Sequence, residues 1–222
     1  MSRPLARRLD RDRRRMSPRV ILASASPRRR ELLAALIDDF AVVPSDVDEL
    51  LTGDGFVDAE RLAFAKAQDI ARKNPGAIVI GSDTVVFDED RSFGKPADQI
   101  EAMDMWRHLR GRVHEVATSV ALVGASGERQ LTEVAEVELA ALSDAEIHAY
   151  VASGRPMDKA GAYAIQDEDV PTVTALQGCY CAVMGLPLWT TRGLLEDAGV
   201  PCRDPSAAFP RCAACPSRPD GG

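Results

Sequence analysis

The chain has 222 residues, of which 45% are hydrophobic and 27% charged, and its net charge is −7. That length and composition are typical of a globular protein that buries its core in one large domain or two lobes. The charge is unevenly distributed: residues 1–15 carry seven arginines and two aspartates, a charge of +5, which leaves −12 on the rest. Because the rest of the chain is this acidic, broad nucleic-acid binding is not expected, and a phosphate site would depend on a few cationic side chains at specific positions.

The two ends of the chain lack periodic apolar patterning. The opening MSRPLARRLDRDRRR has no apolar core and is not a secretory signal. We interpret residues 1–18 as a disordered basic extension or an overlong reading frame, with a functional arm as the less favoured alternative. Residues 201–222 predict a disordered tail that contains cysteines, which leaves residues 19–200 as the folded domain. The longest uncharged stretch, residues 170–191, is interrupted by prolines and glycines. A membrane span is therefore not expected, and the predicted location is the cytoplasm.

Strand and helix patterns alternate along the domain, which is typical of an α/β fold. The predicted order is strand RVILAS, helix RRRELLAALI, strand FAVVPS, helix VDAERLAFAKAQDIARK, strand AIVIGSDTVVFD and helix ADQIEAMDMWRHLRG. The last of these helices is expected to bury an apolar face made of Ile100, Met103, Trp106 and Leu109. Two long strands follow, HEVATSVALVG and QLTEVAEVELAAL, and then a helix whose capping box is Ser143 with Glu146. A loop-rich segment that includes a buried strand precedes the last helix, LWTTRGLLEDAG.

The five cysteines fall into two groups. Cys179 and Cys181 lie in an apolar run and are interpreted as small core residues. Cys202, Cys212 and Cys215 lie in the tail, where a single C-x-x-C and one more cysteine are a weak zinc signal because no fourth ligand is evident.

The stretch SASPRRRELL stands where the first strand passes into the first helix. Ser26 is a favourable N-cap, and Pro27 fits the first helical position. Free backbone N–H groups, Ser24 and the arginines Arg28 and Arg29 then cluster at the positive end of a helix, which is how many phosphate sites are built. An ordinary capped helix with solvated arginines is the alternative.

A second candidate site centres on Asp83, which interrupts the apolar strand AIVIGSDTVVF. An ionised carboxylate inside a buried strand is costly unless a cation, a lysine or a catalytic role compensates, and a structural salt bridge is the alternative. Glu49 follows the second strand, Lys66 lies on a helix among small and apolar residues, and Lys95 stands between a glycine and a proline. Each of these three alone is typical of a surface charge. Placed near Asp83, they would form a site for metal-assisted phosphate chemistry.

The segment SGRPMDKAGAYAIQ combines small, aromatic and amide residues in a way that a solvated loop does not require. Asp158 and Lys159 can pair locally, while glycine and alanine permit close backbone approach. Gln166 offers both a donor and an acceptor, which suits recognition of a base edge.

Eight motifs in this order resemble the Maf family of nucleoside triphosphate pyrophosphatases. They are LASASPRRRELL, SDVDE, LAFAKA, GSDTVV, GKP, GRVHEVAT, SGRPMDKAGAYAIQ and GCYCAVMGLPL, and the resemblance extends over residues 20–198. The resemblance covers nearly the whole predicted domain.

The resemblance implies hydrolysis of a nucleoside triphosphate to the monophosphate and pyrophosphate, assisted by a divalent cation such as Mg²⁺, Mn²⁺ or Co²⁺. It also implies an elongated mixed β-sheet flanked by helices, with two lobes and a central cleft as in Maf and ITPase-like folds, often in a homodimer. By position, Asp83 is similar to the family's proton acceptor, and Arg28, Thr84 and Gln166 match the positions that mark the branch acting on dTTP and UTP. The other cleft positions are matched by residues expected in catalysis (Glu49, Lys66 and Lys95), in substrate binding (Ser24 and Arg29) and in metal binding (Glu49 with Asp83).

Two functions of different classes remain in competition. The favoured one is an enzyme that removes pyrimidine triphosphates, with modified nucleotides among its candidate substrates. The alternative is a nucleotide-sensing regulator of cell division or septum formation with little turnover. The residues favour the enzyme, because a sensor needs neither Asp83 nor the lysines around it.

Overall fold

The computed structural model describes residues 18–125, 127–167 and 169–219, so residues 1–17 of the predicted basic extension lie outside the described part. The described strands are β1 (Val20–Leu22), β2 (Ala41–Val42), β3 (Ile78–Phe87), β4 (Ser92–Phe93), β5 (Val113–Gly124), β6 (Gly127–Leu139) and β7 (Val173–Gln177). The α-helices are α1 (Pro27–Leu36), α2 (Gly55–Lys73), α3 (Gln99–Leu109), α4 (Asp144–Ala152), α5 (Tyr180–Met184) and α6 (Leu188–Asp197). Short 3₁₀ helices are formed by Arg155–Asp158, Ala160–Ala162, Pro205–Ala207 and Pro210–Ala214.

All seven strands form one mixed sheet. Its order is β2-β1-β3-β5-β6-β7, and β4 pairs with the far end of β3. β1 is parallel to both β2 and β3, whereas the pairs further along the order are antiparallel. The predicted α/β class with a mixed sheet is therefore confirmed. β7 is wrongly predicted as a buried strand: it lies at the edge of the sheet, where its residues are exposed or half-buried.

The helix signals in the sequence are local, and most of them act as predicted. The backbone N–H of Arg29 donates to Ser26 Oγ at 3.4 Å, which caps α1, and Ser143 with Glu146 forms the capping box of α4. The predicted apolar face of α3 is wrong at Ile100, which is 80% exposed. Ala102 belongs to the buried face of α3. Ile100 lies two positions before it and therefore points to the opposite side of the helix, toward solvent.

Two large hydrophobic clusters occupy the opposite ends of β3 and β5. One packs α1 and α6 against Ile80 and Leu122, and the other packs α3 and α4 against Val86 and Val116. Between them the two strands carry polar residues at 82–84 and 118–119, paired as Asp83 with Ser119 and Thr84 with Thr118. This polar band divides the core into two lobes, as the resemblance implies.

The prediction of a disordered tail does not hold for residues 201–219. This segment forms two of the 3₁₀ helices, and its Cys212 is 2% exposed. The indole N–H of Trp189 donates to the Cys212 carbonyl at 2.9 Å, and Arg203 Nη1 lies 2.6 Å from Asp38 Oδ1. The segment carries one large apolar residue, Phe209, and no periodic pattern, so its order depends on the apolar surface that α5 and α6 supply. No helix among the described residues is long and apolar enough to cross a bilayer.

Candidate active site

A gap in the sheet beside β3 forms the main cleft. β1 pairs with residues 78–80 of β3 and β4 with residues 86–87, and within the described chain no strand pairs with residues 81–85 on that side. Because strand side chains alternate, Asp83 and Thr84 lie on opposite faces of the sheet, yet both border the gap. The cleft has a volume of about 620 Å³, within the range of small-molecule sites.

A glycine brings α2 close enough to β3 to place a lysine against Asp83. A Cβ atom at Gly81 would lie 2.2 Å from the Ala63 carbonyl oxygen and 2.7 Å from the Ala67 nitrogen, both backbone atoms of α2. Only glycine permits this approach. Lys66, one turn along the same helix, consequently reaches the middle of β3.

The four residues predicted to act in catalysis form a continuous chain of ion pairs. The ammonium of Lys66, whose side chain is 5% exposed, contacts Oδ1 of Asp83 and lies 2.5 Å from Oε1 of Glu49. Lys95 Nζ lies 2.6 Å from the other oxygen of Glu49, Oε2. The structure therefore brings all four together, and it also realises the salt bridge that was the alternative for Asp83.

The charge of Glu49 is stabilised by the two lysines. Burial by itself would raise the pKa of Glu49, but hydrogen bonds and ion pairs with Lys66 and Lys95 outweigh it and lower that pKa from 4.5 to about 2. Glu49 is consequently ionised at neutral pH and fixes two ammonium groups at the mouth of the gap.

Arg29 forms the opposite wall of the cleft, in the first turn of α1. Its Nε donates to the Gly185 carbonyl at 2.9 Å, and its Nη2 donates to Thr84 Oγ1 at 3.2 Å. Its Nη1 lies 3.5 Å from Ser24 Oγ. Ser24 and Thr84 thus fix the guanidinium beside the free N–H groups of a helix N-terminus, an arrangement suited to anions.

Arg28, Thr84 and Gln166, the positions that the resemblance associates with the dTTP and UTP branch, also border this cleft. Arg28 Nη1 lies 2.8 Å from Asp158 Oδ2, and Lys159 Nζ lies 2.6 Å from the other oxygen of Asp158. These ion pairs connect the first turn of α1 to the loop that leads to Gln166, which is half-buried in the lining of the cleft. The local pairing predicted for Asp158 and Lys159 is confirmed.

Two supporting residues were missed at the level of sequence. The hydroxyl of Thr118 lies 3.0 Å from Thr84 Oγ1 and 2.8 Å from the Ala182 carbonyl, so it helps orient Thr84. Thr118 interrupts an apolar strand just as Asp83 does, and that signal could have identified it. Gly185 acts through its backbone carbonyl, for which a sequence carries no signal.

Two clusters of the described residues offer ligands to a divalent cation. The ligand atoms of Asp88, Asp90 and His108 all lie within 4.8 Å of one another, but none of these three residues lines the cleft. The carboxylates of Glu49 and Asp83 converge on Lys66 inside the cleft, and hard oxygen donors beside a phosphate site are what Mg²⁺ or Mn²⁺ prefers. The residues in the cleft therefore fit the metal that the resemblance implies.

Comparison with known proteins identifies one family model and several related proteins. The family model described as "Maf-like protein" matches residues 19–198. The dTTP/UTP pyrophosphatase of Thermomicrobium roseum is 45% identical over 208 residues, covering 90% of this chain and 94% of the relative. The dTTP/UTP pyrophosphatase of Acetivibrio thermocellus is 43% identical over 195 residues, covering 82% and 96%. A solved structure of the Staphylococcus aureus Ham1 protein matches with a TM-score of 0.41 and 15% identity, over 55% of this chain and 72% of that one.

Proposed function

The chain belongs to the Maf-like protein family, and on that premise we propose that it hydrolyses dTTP and UTP to the corresponding monophosphate and pyrophosphate. The resemblance carried by the eight motifs is thereby confirmed. Relatives 43–46% identical to this chain are named dTTP/UTP pyrophosphatases, and Arg28, Thr84 and Gln166 line one cleft. Modified pyrimidine triphosphates are further candidate substrates. The homodimer and the cytoplasmic location remain predictions.

One observation carries the proposal: both walls of the sheet gap carry cations, and one of them also carries carboxylates. One wall holds the chain of ion pairs that ends at Asp83, and the other holds Arg29 at the N-terminus of α1. A triphosphate placed between the walls meets cations on both sides and a carboxylate beside its reacting phosphorus. A structural ion pair alone would not require the arginines opposite it.

The residues of the cleft divide the reaction among them. Arg29, Ser24 and the backbone N–H groups of α1 bind phosphate oxygens, while Lys66 and Lys95 offset charge that builds up as the bond breaks. Water attacks the α-phosphorus, the bond from that phosphorus to the bridging oxygen of the β-phosphate breaks, and pyrophosphate leaves. Lys66 contacts Oδ1 of Asp83, so Oδ2 is the oxygen placed to accept the proton of the attacking water.

A divalent cation belongs to the same proposal. Glu49 and Asp83 would hold it, and when bound it would neutralise negative charge on the phosphate oxygens. Mg²⁺, Mn²⁺ and Co²⁺ are the candidates to compare.

A pyrophosphate-release assay with a panel of triphosphates tests the function. We expect dTTP and UTP to be hydrolysed best in the presence of a divalent cation, and CTP and purine triphosphates more slowly. If GTP or methylated GTP were hydrolysed best, the pyrimidine assignment would be wrong although the pyrophosphatase would stand. Nucleotide binding without pyrophosphate release from any triphosphate would favour the regulator of cell division or septum formation.

Substitution of Asp83 by asparagine tests the mechanism. A positioned general base contributes about 10²–10⁴-fold in rate, so Asp83→Asn should lose turnover by about that factor and still bind UTP, because Arg29 is unchanged. The matched control is Asp197→Asn on α6, whose carboxylate forms an exposed ion pair with Arg129. Full turnover by Asp83→Asn would remove this residue from the reaction.

A further inference from the structure

Four cysteine side chains from two distant segments meet on the side of α5 away from the cleft. Cys179 and Cys181 stand at the start of α5, and Cys212 and Cys215 stand in the last 3₁₀ helix and at its C-cap. The sulfurs of Cys181 and Cys212 are 3.6 Å apart, and both side chains are almost fully buried. Half-buried Cys215 lies near enough to Cys179 for the two thiols to interact electrostatically.

We propose that Cys179, Cys181, Cys212 and Cys215 bind one Zn²⁺ ion as four thiolates. A C-x-C pair on one segment lies near a C-x-x-C pair on another, and four cysteine thiolates are one of the common ligand sets of structural zinc sites. In the sequence alone, the three tail cysteines are a weak signal for zinc binding because no fourth ligand is evident. The fold supplies two ligands from α5 and leaves out Cys202, whose thiol donates instead to the Val200 carbonyl at 3.5 Å.

The separation of the sulfurs favours a metal over a disulfide. Two thiolates on a tetrahedral zinc ion, each about 2.3 Å from the metal, are about 3.8 Å apart, whereas disulfide sulfurs are about 2.05 Å apart. The 3.6 Å between Cys181 and Cys212 is close to the first value. No three of these four described sulfurs lie within 4.8 Å of one another, so the ion would draw Cys179 and Cys215 toward the contacting pair Cys181 and Cys212.

The surroundings of the cluster suit a negatively charged metal centre. Four thiolates around Zn²⁺ carry a net charge of −2, and two arginines flank the C-x-x-C segment. The guanidinium of Arg211 stacks 4.5 Å from the ring centre of Tyr180, and that of Arg218 lies 5.6 Å from the ring centre of Trp189. The thiols must lose their protons when they bind zinc, as at thiolate sites generally.

The site would brace one wall of the cleft from behind. α5 runs from these cysteines to the carbonyls of Ala182 and Gly185, which hold Thr118 and Arg29. Joining the C-terminal segment to α5 through a metal would fix those carbonyls. The ion would have a structural role distinct from that of any cation bound with substrate.

Metal analysis of the full-length protein tests the inference. After purification under reducing conditions with equimolar Zn²⁺ and extensive dialysis, we expect one zinc per chain, released when a mercurial reagent modifies the thiols. Replacement by Co²⁺ should produce the visible and near-infrared absorption of a tetrahedral tetrathiolate centre. Glu49→Gln should retain the metal, which separates this site from the cleft and from the proposed function.

Substitutions separate the four ligands from the remaining cysteine. Cys215→Ser, at a half-buried position that tolerates a hydroxyl, should lose the bound zinc and the cobalt spectrum, whereas Cys202→Ser should keep both. Zinc retained at one per chain in the double variant Cys212→Ser/Cys215→Ser would overturn the proposal. So would the lack of a thiolate–cobalt spectrum in the reduced wild type, or a mass under denaturing conditions that shows the cysteines oxidised in pairs.

Discussion

Replacing Lys66 with methionine tests whether one ammonium group holds the cleft together. The Lys66 side chain is 5% exposed, contacts Asp83 and lies 2.5 Å from Glu49. Methionine has a similar length and no charge, so the variant preserves the packing of α2. It leaves the Asp83 carboxylate, whose side chain is 9% exposed, without its ammonium partner.

The expected loss of stability follows from the burial of that carboxylate. Removing one partner of a buried ion pair costs about 3–5 kcal/mol. The side chain of Glu49 is 39% exposed and keeps Lys95 as a partner, so losing its contact with Lys66 adds little to the loss of stability. We therefore expect a loss at the lower end of that range, about 3 kcal/mol. In a chain of this size each kcal/mol lowers Tm by about 2–4 °C, which predicts a fall of about 6–12 °C.

Thermal and urea unfolding measure this effect, and two further variants define its cause. Lys73→Met lies on the same helix but removes an exposed ion pair with Asp69, so it should cost no more than about 1 kcal/mol. Lys66→Met/Asp83→Asn leaves no unpaired charge and should recover much of the loss. The reasoning is refuted if Lys66→Met is no less stable than Lys73→Met, or if the double variant is less stable than Lys66→Met.

Three further predictions concern the cleft and the C-terminal segment. Because the pKa of Glu49 is lowered to about 2, its ion pairs stabilise the fold above about pH 4.5, and this contribution is lost as the pH falls toward 2. In urea unfolding, the free energy of unfolding of Glu49→Gln should therefore fall less steeply over that pH range. The same variant should need more metal for half-maximal activity. Gln166→Glu should lower the turnover of UTP and narrow the difference in turnover between UTP and CTP, because a lost or unpaired hydrogen bond costs about 1–3 kcal/mol. Unchanged kinetics would remove Gln166 from base recognition. Ending the chain at residue 204 should lower stability by about 1–3 kcal/mol, because it exposes Cys181 and Trp189; an unchanged Tm would show that the segment contributes nothing to the fold.

Local signals in the sequence determined the elements that surround the site. The N-cap at Ser26, the capping box at Ser143 and the long apolar strand around Asp83 each depend on residues a few positions apart, whose backbone preferences act at short range. Asp83 itself was identified because a carboxylate among buried strand residues needs compensation. The motif order then identified the family and every residue of the ion-pair chain.

Only the tertiary structure decided how those elements meet. Lys66 reaches Asp83 because Gly81 lets α2 approach β3, and the cleft exists because β1 and β4 leave the middle of β3 unpaired on one side. Arg29 is held by the carbonyl of Gly185, 156 positions away, and Cys181 finds Cys212 across 31 positions. The order of the C-terminal segment likewise depends on Trp189 and α5. Contacts of this kind join backbone atoms and isolated side chains across the fold, so they leave no periodic pattern in the sequence from which they could have been predicted.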